Sequence, residues 1–106
     1  MSTADWTPDE LTIARAAFEA GKQRSIEVLI QTLQESVRGL STPESIWLLH
    51  DYLSTERYQY EGRADFDTSN ILFTLADMIK QKLITSDDLN GLDQKKLSKV
   101  KAMSMF

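Results

Sequence analysis

The run Ile46-Trp47-Leu48-Leu49-His50-Asp51-Tyr52-Leu53-Ser54-Thr55-Glu56-Arg57 decides the fold. Turned as a helix at about 100° per residue, it divides in two. Leu48, Leu49, Tyr52, Leu53 and, at the margin, Ile46 share one side. Trp47, His50, Asp51, Ser54 and Arg57 occupy an arc of roughly 120° on the other. The first set reads as a core-facing stripe. The second leaves the single histidine and one of the two tryptophans facing solvent.

The signals around this run are those of helices. Ser41-Thr42-Pro43-Glu44 just upstream is a cap followed by proline at the first helical position, and Gly62 is a stop after about Tyr60. Before it, Thr7-Pro8-Asp9-Glu10 opens an earlier helix, with Thr7 as N-cap and Glu10 closing a capping box. Nothing ends that helix before Gly39, which gives about 30 residues or about 45 Å. Its weak point is Ala20-Gly21-Lys22-Gln23-Arg24-Ser25, which lacks a large apolar side chain and is the place for a kink. Beyond that gap, Ile26, Ile30, Leu33, Val37 and Leu40 form a short a/d seam, with β-branched Ile30 and Val37 at a and leucine at d. Two occupants fit the seam: the chain's own second helix or a second copy. The length of the rod favours a homodimer, because a domain of this size has a radius of gyration near only about 13 Å.

Asp65-Phe66-Asp67-Thr68 is expected to cap a third helix whose inward stripe is Leu72, Leu75, Ala76, Ile79 and Leu83, with Phe73 at its margin and assigned mainly to the core. Thr85-Ser86-Asp87-Asp88 opens a short helix and Asp93 caps a last one. In that last helix Leu97, Val100 and Met103 face inward, and Lys95, Lys96, Lys99 and Lys101 surround them, either as a solvated face or as a surface for an acidic protein. The expected fold is all-α: a long helical hairpin over residues about 8–60, then a compact cluster of three shorter helices, in an elongated homodimer. The whole is read as one domain over 1–106, with 8–62 as hairpin and dimerisation rod and 63–106 as a helical head.

Composition narrows the function. At 106 residues with no cysteine and one histidine, thiol chemistry, thiolate metal sites and histidine metal sites have nothing to build on. No apolar run suits a transmembrane helix and the start Met-Ser-Thr-Ala-Asp lacks signal character, so a reducing cytoplasm is expected. The net charge of −4 conceals an asymmetry: residues 80–106 carry six lysines and three aspartates, while the remainder is acidic. The acidic total argues against non-specific nucleic-acid binding. Catalysis also has little support. His50 and Asp51 should diverge by about 100° rather than orient one another, and no glycine-rich phosphate loop occurs. No catalytic residue, metal or cofactor is assigned. The Trp47 patch then reads in two ways. It is either a binding surface anchored by Trp47 and Arg57, or a face packed under another subunit with Asp51 and Arg57 in an ordinary surface ion pair.

The run Trp47-x-Leu49-His50-Asp51-Tyr52-Leu53-Ser54-x-x-Arg57, the Glu61-Gly62 stop and the ending Leu97-Ser98-Lys99-Val100-Lys101-Ala102 together resemble the fluorescence recovery proteins of cyanobacteria. The likeness is strong over 46–106 and looser before it. What the resemblance implies is a non-enzymatic, homodimeric, all-α regulator. Such a protein binds the red, light-activated form of the orange carotenoid protein through that partner's C-terminal domain, speeds its return to the orange form, and releases it from the phycobilisome. Non-photochemical quenching then ends, at the cytoplasmic side of the thylakoid membrane. By the same resemblance Trp47, His50, Asp51 and Arg57 matter for activity or dimer integrity, and Phe73 and Lys99 for partner contact. The alternative from another class is a helix-turn-helix-like nucleic-acid regulator built on the last two short helices.

Overall fold

The computed structural model describes residues 6–62 and 65–106. The first five residues, on which the absence of a signal segment was read, and residues 63–64 at the expected start of the head lie outside the described part. The described chain is helical throughout: α1 (Pro8–Arg38), α2 (Pro43–Gly62), α3 (Ile71–Lys80), a single 3-10 turn (Ser86–Leu89) and α4 (Gln94–Ser104). No strand occurs among the described residues. The all-α expectation and the order of a long first helix followed by shorter ones are therefore met.

The capping signals act as their chemistry dictates. The Thr7 N–H donates to Glu10 Oε1 and the Glu10 N–H donates to Thr7 Oγ1, each at 3.1 Å, so the capping box closes in both directions. At α2, Thr42 Oγ1 accepts the Ser45 N–H at 3.1 Å while Ser45 Oγ accepts from the Thr42 N–H at 3.1 Å, so Ser45 fills the reciprocal role. The Asp93 carboxylate takes the Lys95 N–H at 3.2 Å and caps α4.

Packing divides the chain into two compact units, and the boundary falls inside α1: residues up to Ser25 group with Phe66–Phe106, and Ile26–Asp65 form the other. The first unit, the head, owns a closed interior. Phe18, Ile71, Leu75, Met78, Leu89 and Val100 are almost fully buried, and each contributes about 1.5–3 kcal/mol by leaving water. Phe18 meets Phe66 edge to face, with ring centroids 5.7 Å apart. The gap at Ala20–Ser25 does not end α1, which stays helical through it. At Gly21 there is no room for a side chain: a Cβ there would stand 2.5 Å from Met78 Sδ on α3 and 3.3 Å from Ile84 Cγ2 beyond it. Just beyond, Arg24 donates to the Leu83 carbonyl at 2.6 Å.

Three local expectations are displaced. The third helix starts at Ile71, not at Asp67, because the Asp67 carboxylate is spent on the Ser69 N–H and hydroxyl at 3.0 and 2.8 Å, closing a turn. That helix ends at Lys80, and Leu83 is buried from outside it, after a reversal at Lys82 with φ 63°. Lys96 does not belong to a solvated face. It is 6% exposed, with its ammonium 3.1 Å from both oxygens of the equally buried Glu10.

The second unit has no interior of that kind. Among its described residues none is buried, and all of α2 is at best half-covered.

Candidate functional site

In the head, the expected contact residues Phe73 and Lys99 come together. Phe73 turns away from the α3 core and is 66% exposed, so its place at the margin of the stripe resolves to the surface. It lines a small hollow of about 140 Å³ with Lys99, Met103, Leu72 and Asn70. What fixes Lys99 there is its neighbour one turn back on α4. Glu10 accepts the Asp93 N–H at 2.8 Å and binds Lys96, and the Lys96 ammonium also lies 4.8 Å from the centroid of the Trp6 ring. Hydrogen bonds from Asp93 and Thr7, aided by Lys96, outweigh burial and hold the Glu10 carboxyl down at about 2, against an ordinary 4.5. With Lys96 drawn inward, the helical period sets Lys99, three residues on, toward the α3 edge.

The other four candidates stand on α2, in the second unit. Trp47 is 64% exposed. His50 Nδ1 lies 3.4 Å from Asp51 Oδ1, so the two side chains do meet, although both are open to solvent and the contact is long for a hydrogen bond. Arg57 does not pair with Asp51. Its Nε donates to Glu61 Oε1 at 2.8 Å, one turn further on. An exposed pair of this kind contributes under about 1 kcal/mol.

The apolar stripe of α2 is not a core face within the chain. Leu48 is 66% exposed, Ile46 48% and Tyr52 36%, and only Leu49 and Leu53 are half-covered. The seam of α1 behaves likewise. Ile26 and Leu33 are half-buried, while Ile30 and Val37 stay half open, so α2 does not close over them. Near the turn an apolar hollow of about 280 Å³, floored by Leu40, Leu48, Leu49 and Tyr52, stands open.

The six candidates thus form two sets, Phe73 with Lys99 in the head and Trp47, His50, Asp51 and Arg57 on α2. The sequence reading passed over Tyr58, 81% exposed, and the Arg57–Glu61 pairing, although the i, i+4 spacing of that pair was there to be used. The buried Glu10–Lys96 pair joins residues 86 positions apart, and no local pattern marks it. Nothing in the head favours a helix-turn-helix: the element before α4 is one four-residue 3-10 turn. No helix among the described residues is long and apolar enough to cross a membrane.

Comparison with known proteins agrees with these features. The profile of the photoprotection regulator fluorescence recovery protein family matches residues 6–104. The chain is 33% identical over 101 residues to the fluorescence recovery protein of Synechocystis sp. strain PCC 6803, covering 95% of this chain and 93% of that one. It superposes on the structure of the Fremyella diplosiphon fluorescence recovery protein with a TM-score of 0.86 at 38% identity, and on that of the Synechocystis protein with 0.85 at 32%. Both superpositions cover 95% of this chain and 99% of the other. The chain belongs to the fluorescence recovery protein family, whose members are photoprotection regulators.

Proposed function

We propose that this member of the family is a non-enzymatic regulator that binds the red, active form of the orange carotenoid protein at its C-terminal domain. It accelerates that partner's return to the orange form and its detachment from the phycobilisome, which ends non-photochemical quenching at the cytoplasmic side of the thylakoid membrane. The observation that carries the reading beyond the family is α2: twenty residues, none buried, bearing Trp47 and an apolar stripe that the chain itself leaves open. A helix of that composition is completed by other protein surfaces. The seam Ile26, Ile30, Leu33 and Val37, together with the apolar arc of α2, meets a second copy. Trp47, His50, Asp51 and Arg57 on α2, and Phe73 and Lys99 on the head, meet the carotenoid protein.

No catalytic group is required. A regulator shifts a two-state partner by its differential affinity for the two states, and speeds the return by binding the transition state better than the active form. The chain offers anchors for this and no cofactor enters. Mixing the protein with photoactivated orange carotenoid protein in the dark and timing the loss of the red form tests the reading. Acceleration is expected with the natural chain, and a several-fold loss of it with Phe73→Ala and with Arg57→Leu, both exposed enough to leave the helices intact. Recovery kinetics unchanged by the natural chain would remove the assignment.

A further inference from the structure

The half-covered line of α2 is Ser45, Leu49, Leu53 and Glu56. At about 100° per residue, the positions diametrically opposite are Glu44, Trp47, Asp51, Ser54, Tyr58 and Glu61. All six are exposed. They form a stripe in which Trp47 and Tyr58 stand about 16 Å apart along the axis, with carboxylates before, between and after them. Neither lysine nor arginine lies within it. The nearest cation, Arg57, sits at one edge beside His50, and there it already faces the Glu61 carboxylate at 2.8 Å. The whole segment 26–65 carries seven carboxylates against three arginines and no lysine.

We propose that this outward stripe of α2 is a docking surface for a basic, amphipathic segment of a protein partner, with Trp47 and Tyr58 as its aromatic anchors. The proposal rests on the reading above in taking Trp47 and Asp51 of α2 as partner contacts, and it adds Tyr58, Glu44 and the chemistry of the occupant. Charge decides the occupant. An acidic segment would be repelled along the full length, and the same stripe of a second copy, being equally acidic, would be repelled as well. Three aromatic rings of the head carry a cation of their own: Lys96 stands 4.8 Å from the Trp6 ring centroid, Lys22 5.4 Å from that of Phe18, and Arg15 4.4 Å from that of Phe66. Among the described residues no cation stands over Trp47 or Tyr58. An arginine or lysine from the partner supplies it, with its charge met by Asp51 or Glu44 and its stem laid along the rings.

The test uses the full chain and two synthetic helical peptides without tryptophan, one with arginines along one face and leucines along the other, and one with glutamates replacing the arginines. Trp47 is the exposed tryptophan and Trp6 the buried one, so protection from acrylamide quenching reports on Trp47. The expected result is that the arginine peptide binds, protects Trp47 and weakens with added salt, while the glutamate peptide does not bind. Tyr58→Ala, and separately the double variant Glu44→Lys with Asp51→Lys, each weaken binding by about tenfold or more, with helicity retained. Absence of binding, equal binding of both peptides, or binding indifferent to these substitutions overturns the proposal. Failure here, with carotenoid recovery still accelerated by the natural chain, removes the basic-segment surface and leaves the regulatory reading. Peptide binding without that acceleration does the reverse.

Discussion

The head and the α2 unit are built from similar helices of similar hydrophobic content, yet one hides its apolar side chains and the other displays them. In the head, α1 up to Ser25, α3, the 3-10 turn and α4 enclose Phe18, Leu75, Met78 and Val100, and a buried ion pair is part of the closure. In Ile26–Asp65, Ile30, Val37, Ile46 and Leu48 are all about half open or more. The lesson is that helical amphipathicity announces a face and leaves open whose surface will cover it. The head answers from its own chain. The other unit, on the reading proposed, answers from a second copy and a partner.

The strongest way to break this comparison is to spoil the head from within. Lys96→Ala leaves the Glu10 carboxylate buried and without its ammonium partner, a change that typically costs about 3–5 kcal/mol. Urea unfolding followed by fluorescence of the buried Trp6 should register it, whereas Glu10→Met combined with Lys96→Met should recover only part of the loss, because the Thr7 and Asp93 N–H groups then lose their acceptor. The pH dependence has a fixed sign. Because the folded-state pKa of Glu10 is depressed to about 2 from 4.5, its contribution is complete above about 4.5, erodes as pH falls, and is gone below about 2. Urea midpoints across that range should fall more steeply for the natural chain than for the double-methionine variant.

The second unit should fail in a different currency. Ile30→Glu with Val37→Glu puts two charges on half-open seam positions, so the folded head has little reason to change. Self-association should weaken at least ~100-fold, equivalent to about 2.7 kcal/mol, as read by sedimentation across a concentration series. A melting temperature that depends on concentration in the natural chain and not in this variant would sharpen the contrast. A natural chain that sediments as a monomer at all concentrations would end the dimer reading.

What the sequence disclosed follows the same division between local and distant physics. Thr7, Pro8 and Glu10, Thr42 and Pro43, and Asp93 mark helix starts through bonds spanning three or four residues, and all of them are legible in a single window. The reason for Gly21 was out of reach because the atoms that leave no room for a side chain there, on Met78 and Ile84, lie far along the chain. Lys96 was misread because its partner lies 86 residues away. Asp67 was misread because a carboxylate can serve a turn as well as a cap. On the site side, the exposed Trp47 and Arg57 followed from the period alone. The roles proposed for Phe73 and Lys99 needed the resemblance, and Tyr58, although on the same period as Trp47, Asp51 and Ser54, lies one residue beyond the run on which that face was drawn.

The smallest test acts at Lys82, and its sign is informative. The Lys82 N–H donates to the Ile79 carbonyl and the Leu83 N–H to that of Met78, each at 2.9 Å, and Lys82 has φ 63°. This is the paired bonding that ends a helix in a left-handed residue, a place where glycine is the usual occupant. Lysine there carries the cost of its Cβ, about 1–2 kcal/mol, partly offset by the greater freedom glycine has to lose. Lys82→Gly should therefore stabilise the head by about 0.5–1 kcal/mol, a rise of several degrees in melting temperature. Its side chain is exposed and Leu83 stays buried, so packing is unchanged. The rise should be the same at every protein concentration, because the substitution touches the unit that folds on its own interior. A destabilising result would mean that the reversal after α3 is held by contacts of the Lys82 stem rather than by its backbone.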